Sequence, residues 1–438
     1  MKFTLLSAIA LFAAATAEAN NTVTGIDGRA RSLEQEAAFQ TDAETNLACH
    51  EKNANYIASL KAGQYTSSAF HNCFRTIDQI YKFADALVKQ NPALLSKFVI
   101  SKTYNGATIY GYKLTKGNAQ SLYFQALQHA REWSAGSSIL FSFASILDDI
   151  ANEKPTAADA YDLYFVPIVN IDGFASTWNG NGTRFQRKNA NQVDLNRNWP
   201  TPFENPEHPP QDDETYPGKK PFSEPETAGI NAWIETKRDE IQGYLDIHAY
   251  GGLLLYPYGD TKQRIGHGFD EKFQVLGRGM QKVMGEYKPQ PSHALYSKLS
   301  YGTFADYAFR EFKKPALSVE VVGYNFITAA STIKKRGIEL YKGINAFAKE
   351  VTVFNGWRGI KPPSPTSTSK PSPTTTAQSA TTSSSGSKPV PPSSSGSCNG
   401  CSGCYSALYS HCFRSGYSRA QCDLFNGSGY QTTWCGNY

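Results

Sequence analysis

Between Cys73 and Cys398 the chain has no cysteine, although it carries 8 in 438 residues. No disulfide can therefore staple its long middle section. An excess of one charge is also missing: 43 basic residues stand against 38 acidic ones, a formal net charge of +5. No phosphate-binding footprint stands out, which excludes a strongly basic nucleic-acid binder as partner. After the first residues no apolar stretch is long enough to cross a bilayer, so no membrane span is expected. The end Cys435-Gly436-Asn437-Tyr438 is polar, so no GPI-anchor signal is expected. Aromatics, by contrast, are abundant at 13%, which excludes a wholly disordered chain. The length corresponds to roughly three domains at about 150 residues each.

Composition divides the chain. Lys2, the apolar run Phe3 to Ala15 and the small residues Ala17 and Ala19 read as a secretory signal peptide over 1–19. Secretion fits the even cysteine count and the sequons opened by Asn20, Asn181 and Asn426. Residues 20–69 are polar with some helical character and form an N-terminal extension or a short pro-segment. Residues 70–357 have the pattern of a globular enzyme. Residues 358–397, nearly all Pro, Ser, Thr, Gly and Lys from Lys361 on, form an extended linker. The final 398–438 hold Cys398, Cys401, Cys404, Cys412, Cys422 and Cys435 and read as a small disulfide-rich module of open connectivity. Its aromatics, from Tyr405 to Tyr438, form either the core of that module or a face that stacks on sugar rings. The second reading makes a polysaccharide a candidate partner.

Within 70–357, strands and helices alternate. Thr76-x-x-Gln79 is a capping box ahead of apolar residues at helical spacing. Val99–Thr103 and Thr108–Thr115 read as a strand pair. Tyr123–Leu127, Tyr161–Val169, Tyr244–Ile247 and Ala316–Val322 read as buried strands. Helices are expected over Ala135–Ile150, Pro225–Thr236, Glu271–Tyr287 and Ile333–Val351. This is the pattern of an α/β fold with a mixed, mostly parallel sheet sandwiched by helices. Such folds bind ligands beyond the carboxyl ends of their strands.

Reactive residues gather at those ends. His129-x-x-Glu132 and the distant His248 supply two imidazoles and a carboxylate, which leaves one position of a tetrahedral zinc ion open, as in catalytic sites. Alone, His-x-x-Glu is a common chance match. Glu320 interrupts the apolar run Leu317 to Val322, where an unpaired buried carboxylate would be costly. It suits a general acid/base. Asn196 and Arg197, side by side, suit a carboxylate ligand. Asp194 suits the role of orienting a metal-bound imidazole.

Taken together, His129-Ala-Arg-Glu132-Trp, Asn170-Ile-Asp-Gly-Phe174, Arg184-Phe-Gln-Arg187-Lys, Asp194-Leu-Asn-Arg-Asn-Trp199, Ile247-His-Ala-Tyr250, Leu253-Leu-Leu-Tyr-Pro-Tyr-Gly259 and Ser318-Val-Glu320 resemble the zinc metallocarboxypeptidases related to pancreatic carboxypeptidase A. The pieces follow that family's order over roughly residues 70–355. The resemblance implies one zinc ion (Zn2+) held by His129, Glu132 and His248. It implies Glu320 as general acid/base and Arg187 as the oxyanion stabiliser. It implies Asn196 and Arg197 as the grip on a peptide's terminal carboxylate, with Arg131 and Tyr250 lining the cleft. Peptides or proteins with a free C-terminal carboxylate are the implied substrates. An amidase acting on wall peptides and an inactive, carbohydrate-tethered binding protein are the alternatives.

Three departures qualify the resemblance. The mobile tyrosine of the family corresponds to Tyr296, but a two-residue length change leaves Tyr301 eligible too. Ala305 falls where a basic-specific enzyme carries an acid, which points to neutral, apolar or aromatic C-terminal residues. Residues 20–69 are too short for the family's usual activation domain; they read as a short pro-peptide or an extension stapled by Cys49–Cys73.

Overall fold

A computed structural model describes residues 22–24, 30–179, 183–295, 298–356, 404–406, 411–413 and 432–435. The expected signal peptide, all three sequons, the linker 358–397 and Tyr296 lie outside the described residues. So does most of the C-terminal module. The chain divides into two compact units after Gly356. Of the second unit, three short strands are described, Cys404–Ser406, His411–Phe413 and Thr432–Trp434, with the first pairing antiparallel to both others.

The first unit opens with short antiparallel strands at Thr22–Thr24 and Ala30–Ser32, then helix α1 (Leu33–Lys52). Helix α2 (Ile77–Gln90) starts at the expected capping box, where Gln79 Oε1 accepts the Thr76 N–H at 3.3 Å. Strands β1 (Leu95–Lys102), β2 (Thr108–Leu114) and β3 (Ser121–Ala126) follow, then α3 (Trp133–Ala151), β4 (Asp162–Val166) and the short α4 (Ile171–Ser176). Next come α5 (Pro225–Glu235), β5 (Ile241–Ala249), β6 (Leu253–Tyr256), α6 (Phe269–Met284) and β7 (Lys288–Pro291). The unit closes with α7 (Phe304–Phe312), β8 (Ala316–Val321) and α8 (Ile333–Gly356).

The eight strands lie in the order β1-β2-β4-β3-β5-β8-β6-β7. The three central pairings around β3, β5 and β8 are parallel, as is β6 with β7; the rest are antiparallel. This is the mixed sheet expected. Alternation along β3 shows the two layers around it. Tyr123 meets Trp233 of α5 and Phe304 of α7. Its neighbour Phe124 meets Phe347 of α8. A strand covered on both faces is buried at every position, and all six β3 residues are buried, the polar Ser121 and Gln125 among them.

From β3 the chain leaves to β4 on one side and later returns to β5 on the other. The carboxyl ends of β3 and β5 thus diverge at a topological switch point, where such sheets bind ligands. The strands β6 and β7 and the helix α7 were not anticipated. Each is short, and β7 is Lys-Pro-Gln-Pro, a sequence without a strand's composition. Helix α1 was expected only as helical character; it is 20 residues long and belongs to the first unit.

Several polar side chains are enclosed in this core, and His71 among them is packed against aromatic rings. His71 is 2% exposed and presents its ring to Phe70, Phe83 and Phe141. Burial, with Lys334 and Arg75 acting the same way, pushes its pKa down to about 3. Between about pH 3 and 6.5 the unfolded chain therefore binds a proton that the folded chain refuses. Stability is full above pH 6.5 and falls as the pH drops towards 3. Between pH 7 and 5 the wild type should lose about 2 kcal/mol more than a His71→Met variant in denaturant titrations. Parallel pH profiles for the two proteins would contradict this.

Candidate metal centre and substrate cleft

Strand β3 ends at Ala126, and the chain turns through Leu127, whose φ of 59° lies in the left-handed region. The turn brings His129 back over the sheet edge. Glu132 then takes the N-cap position of α3. His248 sits near the end of β5, in register with Glu320 on the parallel β8. Four residues from three neighbouring segments thus meet at one edge. The ligand atoms of His129, Glu132 and His248 all lie within 4.8 Å of one another.

The orientation of the two imidazoles is fixed from behind. His129 Nε2 lies 3.1 Å from Asp194 Oδ1, and His248 Nε2 lies 2.6 Å from Asp246 Oδ2. A carboxylate accepts hydrogen bonds and cannot donate when ionised, so each Nε2 carries the proton. Both Nδ1 lone pairs are then free to point forward, and they face each other at 3.2 Å. Glu132 completes the set, with Oε1 2.7 Å from His129 Nδ1 and Oε2 3.0 Å from His248 Nδ1. Two acceptor nitrogens and a carboxylate pointing at one spot repel unless a cation lies between them. Zinc bonds of 2.0–2.1 Å in a tetrahedron set ligand atoms about 3.3 Å apart, close to the spacing found here. The residues therefore fit the ion. The surroundings favour positive charge at this spot: burial would lower the His248 pKa, but the charges of Asp246 and Glu132 outweigh burial and hold it well above its usual value.

Arg187 lies against the same group. It donates from Nε and Nη2 to Asp194 Oδ2 at 2.9 and 2.7 Å, and its Nη1 is 3.3 Å from His129 Nδ1. Burial would raise the Asp194 pKa, but Arg187 and His129 hold it well below the carboxylate range. Asp194 therefore locks the arginine and the imidazole at once. Asn170, which opens the motif Asn170-Ile-Asp-Gly, ties the two loops, its Nδ2 reaching Gln128 O and Arg187 O. A Cβ on Gly173 would lie 2.6 Å from the carbonyl of Lys188, so the motif needs glycine there.

The cleft in front of these residues has a volume of about 410 Å³. His129, Glu132, Arg131, Arg187, Asn196, Arg197, Tyr250 and Glu320 all line it. Among its described lining residues the only carboxylates are Glu132 and Glu320. Burial pushes the Glu320 pKa up to about 8; repulsion from Glu132 and Asp246 adds to this, and His248 and Arg187 oppose it. Asn196 is fixed by its Oδ1, which accepts the Phe304 N–H at 2.8 Å, while Arg197 Nη1 donates to Asn196 O at 2.7 Å. Gly302 makes this contact between loops feasible: with φ at +70°, its hypothetical Cβ would fall 2.3 Å from Arg197 O.

Not every expected residue reaches the cleft surface. Ala305 is 2% exposed within the core of α7, and the neighbouring Thr303 lines the cleft instead. Tyr301 is half-buried, next to the lining residue Ser300. Several contributors had no assigned role in the sequence reading. Asp246 was legible in principle, because Asp246-Ile-His248 places both polar residues on one face of a strand. Gln125 and Gln128 donate to Asp246 at 3.1 and 2.6 Å and keep it oriented. Phe326 packs on Tyr250 with ring centroids 4.9 Å apart, and Glu214 holds Arg131 through two hydrogen bonds of 2.7 and 3.1 Å. Both come from loops without a periodic signal.

Because Asp246 fixes the donor tautomer of His248, Asp246→Asn should weaken zinc binding about 10–100-fold. Competition with a chromophoric chelator reads this directly. Unchanged affinity would show that the Asp246 contact is incidental.

Known proteins resemble this chain in sequence and in fold. A family model described as zinc carboxypeptidase matches residues 80–343. Carboxypeptidase A1 of Sus scrofa is 32% identical over 234 residues, covering 49% of this chain and 54% of that protein. Carboxypeptidase A1 of Bos taurus is 28% identical over 313 residues, covering 67% of this chain and 74% of that protein. The match to the porcine relative thus spans only about half of that protein's length. The crystal structure of the carboxypeptidase A from Helicoverpa armigera superposes with a TM-score of 0.60 at 21% identity, over 71% of this chain and 81% of that one. Thrombin-activatable fibrinolysis inhibitor superposes with a TM-score of 0.62 at 20% identity, over 73% and 80%. These two structures speak for the fold. With the family model covering more than half of its length, the chain belongs to the zinc carboxypeptidase family.

Proposed function

We propose that this chain is a secreted zinc exopeptidase that hydrolyses the last peptide bond of peptides with a free C-terminal carboxylate. The observation that carries the reading is the convergence of His129, Glu132 and His248 beside Glu320 in a cleft that also holds Asn196 and Arg197. Zinc held by the three ligands would polarise the scissile carbonyl and acidify the attacking water. Glu320 takes a proton from that water and later returns one to the leaving amine. Burial and the neighbouring carboxylates raise its pKa, and the charge of bound zinc would oppose them and favour the ionised form that accepts a proton. Arg187, anchored by Asp194, presents fixed positive charge where the carbonyl oxygen gains negative charge. Asn196 and Arg197 offer donors to the terminal carboxylate, and this makes the enzyme an exopeptidase.

Leu253, Leu255 and Leu295 line the cleft together with the small polar Ser292, Ser300, Thr303 and Ser318. A wall of this kind, without an added acid, supports a preference for neutral apolar or aromatic C-terminal residues. Secretion is supported by the leader-like start of the sequence and by the Cys49–Cys73 disulfide. The domain boundaries proposed are those of the sequence reading, with α1 joined to the enzyme unit. For the cysteine-rich tail we propose a tethering role on polysaccharide, resting on its aromatic content. Pull-down on cellulose and chitin should be lost when 398–438 are deleted, and equal retention of both forms would discard the role.

A panel of blocked dipeptides ending in Phe, Leu, Ala, Lys or Glu tests the main proposal. Release of Phe and Leu should be abolished by a zinc chelator, and Lys should be ignored. Glu320→Gln should retain zinc while losing about 10²–10⁴-fold in kcat. Release that survives chelation, or full activity of the glutamine variant, would contradict the proposal.

A further inference from the structure

Helix α1 takes no part in the chemistry proposed above, yet one side of it is buried. Phe39, Asp42, Ala43, Asn46 and His50 recur at steps of three and four. The polar members have partners in the body of the enzyme unit. Asn46 Oδ1 accepts the Phe74 N–H at 3.2 Å, and His50 Nε2 lies 2.5 Å from Phe74 O. Asp42 Oδ2 accepts from Arg184 Nε at 2.7 Å, with the two residues only 7% and 4% exposed. A buried ion pair between distant segments is a costly device, and the geometry around Arg184 shows what it holds.

The Arg184 guanidinium uses each of its nitrogens. Nε meets Asp42, Nη1 donates to Arg131 O at 2.8 Å, and Nη2 donates to Phe326 O at 3.0 Å. Its plane lies 3.7 Å over Trp133. Arg131 and Phe326 both line the cleft, and their side chains stack with the guanidinium 4.2 Å from the ring. Phe39 strengthens the same junction by stacking on Phe185 at 4.6 Å, and Phe185 O accepts from Arg131 Nη1 at 3.3 Å.

We infer that Asp42 is a positioning residue: through Arg184 it holds Arg131 and Phe326 in the part of the cleft that receives the substrate chain upstream of the scissile bond. The inference rests on the exopeptidase reading, which places the terminal carboxylate at Asn196 and Arg197. It also makes α1 a lasting part of the enzyme rather than a segment discarded on activation. The Cys49–Cys73 disulfide keeps α1 attached even when the chain between them is cut.

The test compares two substrates with the same last two residues, a blocked dipeptide and a blocked pentapeptide, on the zinc-loaded full chain. For Asp42→Asn the KM of the pentapeptide should rise about tenfold, the worth of one charge-assisted contact, while the dipeptide's kcat/KM stays within about twofold. Asp42→Glu, which restores the charge, should recover most of the loss. Phe39→Leu keeps the ion pair but removes the ring stack, and should shift the pentapeptide KM in the same direction; it carries the test where the asparagine variant does not accumulate. Equal losses on both substrates would show a merely structural role and overturn the inference. So would unchanged KM in both variants. If the wild type cleaves neither substrate, the functional reading fails, and this inference fails with it.

Discussion

Two buried carboxylates, Asp194 and Asp246, each hold one imidazole by its Nε2. The rest of the site depends on that constraint. It fixes the proton on the rear nitrogen of both rings and turns two lone pairs towards Glu132. A site built this way favours positive charge, because two ring nitrogens and a carboxylate meet at one point. A divalent cation supplies that charge, and the same carboxylates raise the basicity of the ligands that bind it. The fold contributes by bringing the parts together. Asp246 and His248 share a face of β5, while His129 and Asp194 come from loops that Asn170 joins.

The sheet order explains why the chemistry sits where it does. Because β3 connects to β4 on one side and β5 lies on the other, the loops beyond β3 and β5 part and leave a crevice. His129 and Glu132 enter from the first strand, His248 from the second and Glu320 from β8 alongside. Arg187, Asn196 and Arg197 reach the crevice from the long connection between β4 and β5. Loops carry the positive groups that would grip an anionic substrate end, while His248 and Glu320 lie on the neighbouring strands β5 and β8. The helix α1 adds a buttress from outside the sheet through the Asp42–Arg184 pair.

Much of this was legible in the sequence for a physical reason. Buried central strands such as Ser121–Ala126 are largely apolar and carry no charge, so charged and imidazole side chains at strand ends stand out. Glu320 was conspicuous on that ground, and His248 and His129 became so once combined. What escaped notice was encoded without period or contrast. Strand β7 contains two prolines and pairs only with β6 at the sheet edge, where a missing donor is tolerated. The buried side of α1 uses Asp42, Asn46 and His50, polar residues whose partners lie far along the chain, so no amphipathic stripe appears. Glu214 and Phe326 act through tertiary contacts that no local pattern foretells. Ala305 was expected at the pocket base; it is buried in α7, and Thr303 two residues before it lines the cleft.

The central claim is that the two imidazoles bind zinc through Nδ1 because their Nε2 atoms are held by aspartates. Diffraction from crystals of the zinc-loaded protein at the zinc absorption edge tests it most directly. The account predicts a single anomalous peak within about 2.0–2.2 Å of His129 Nδ1, His248 Nδ1 and a Glu132 oxygen. A peak bound through Nε2, or one displaced from this group altogether, would contradict it.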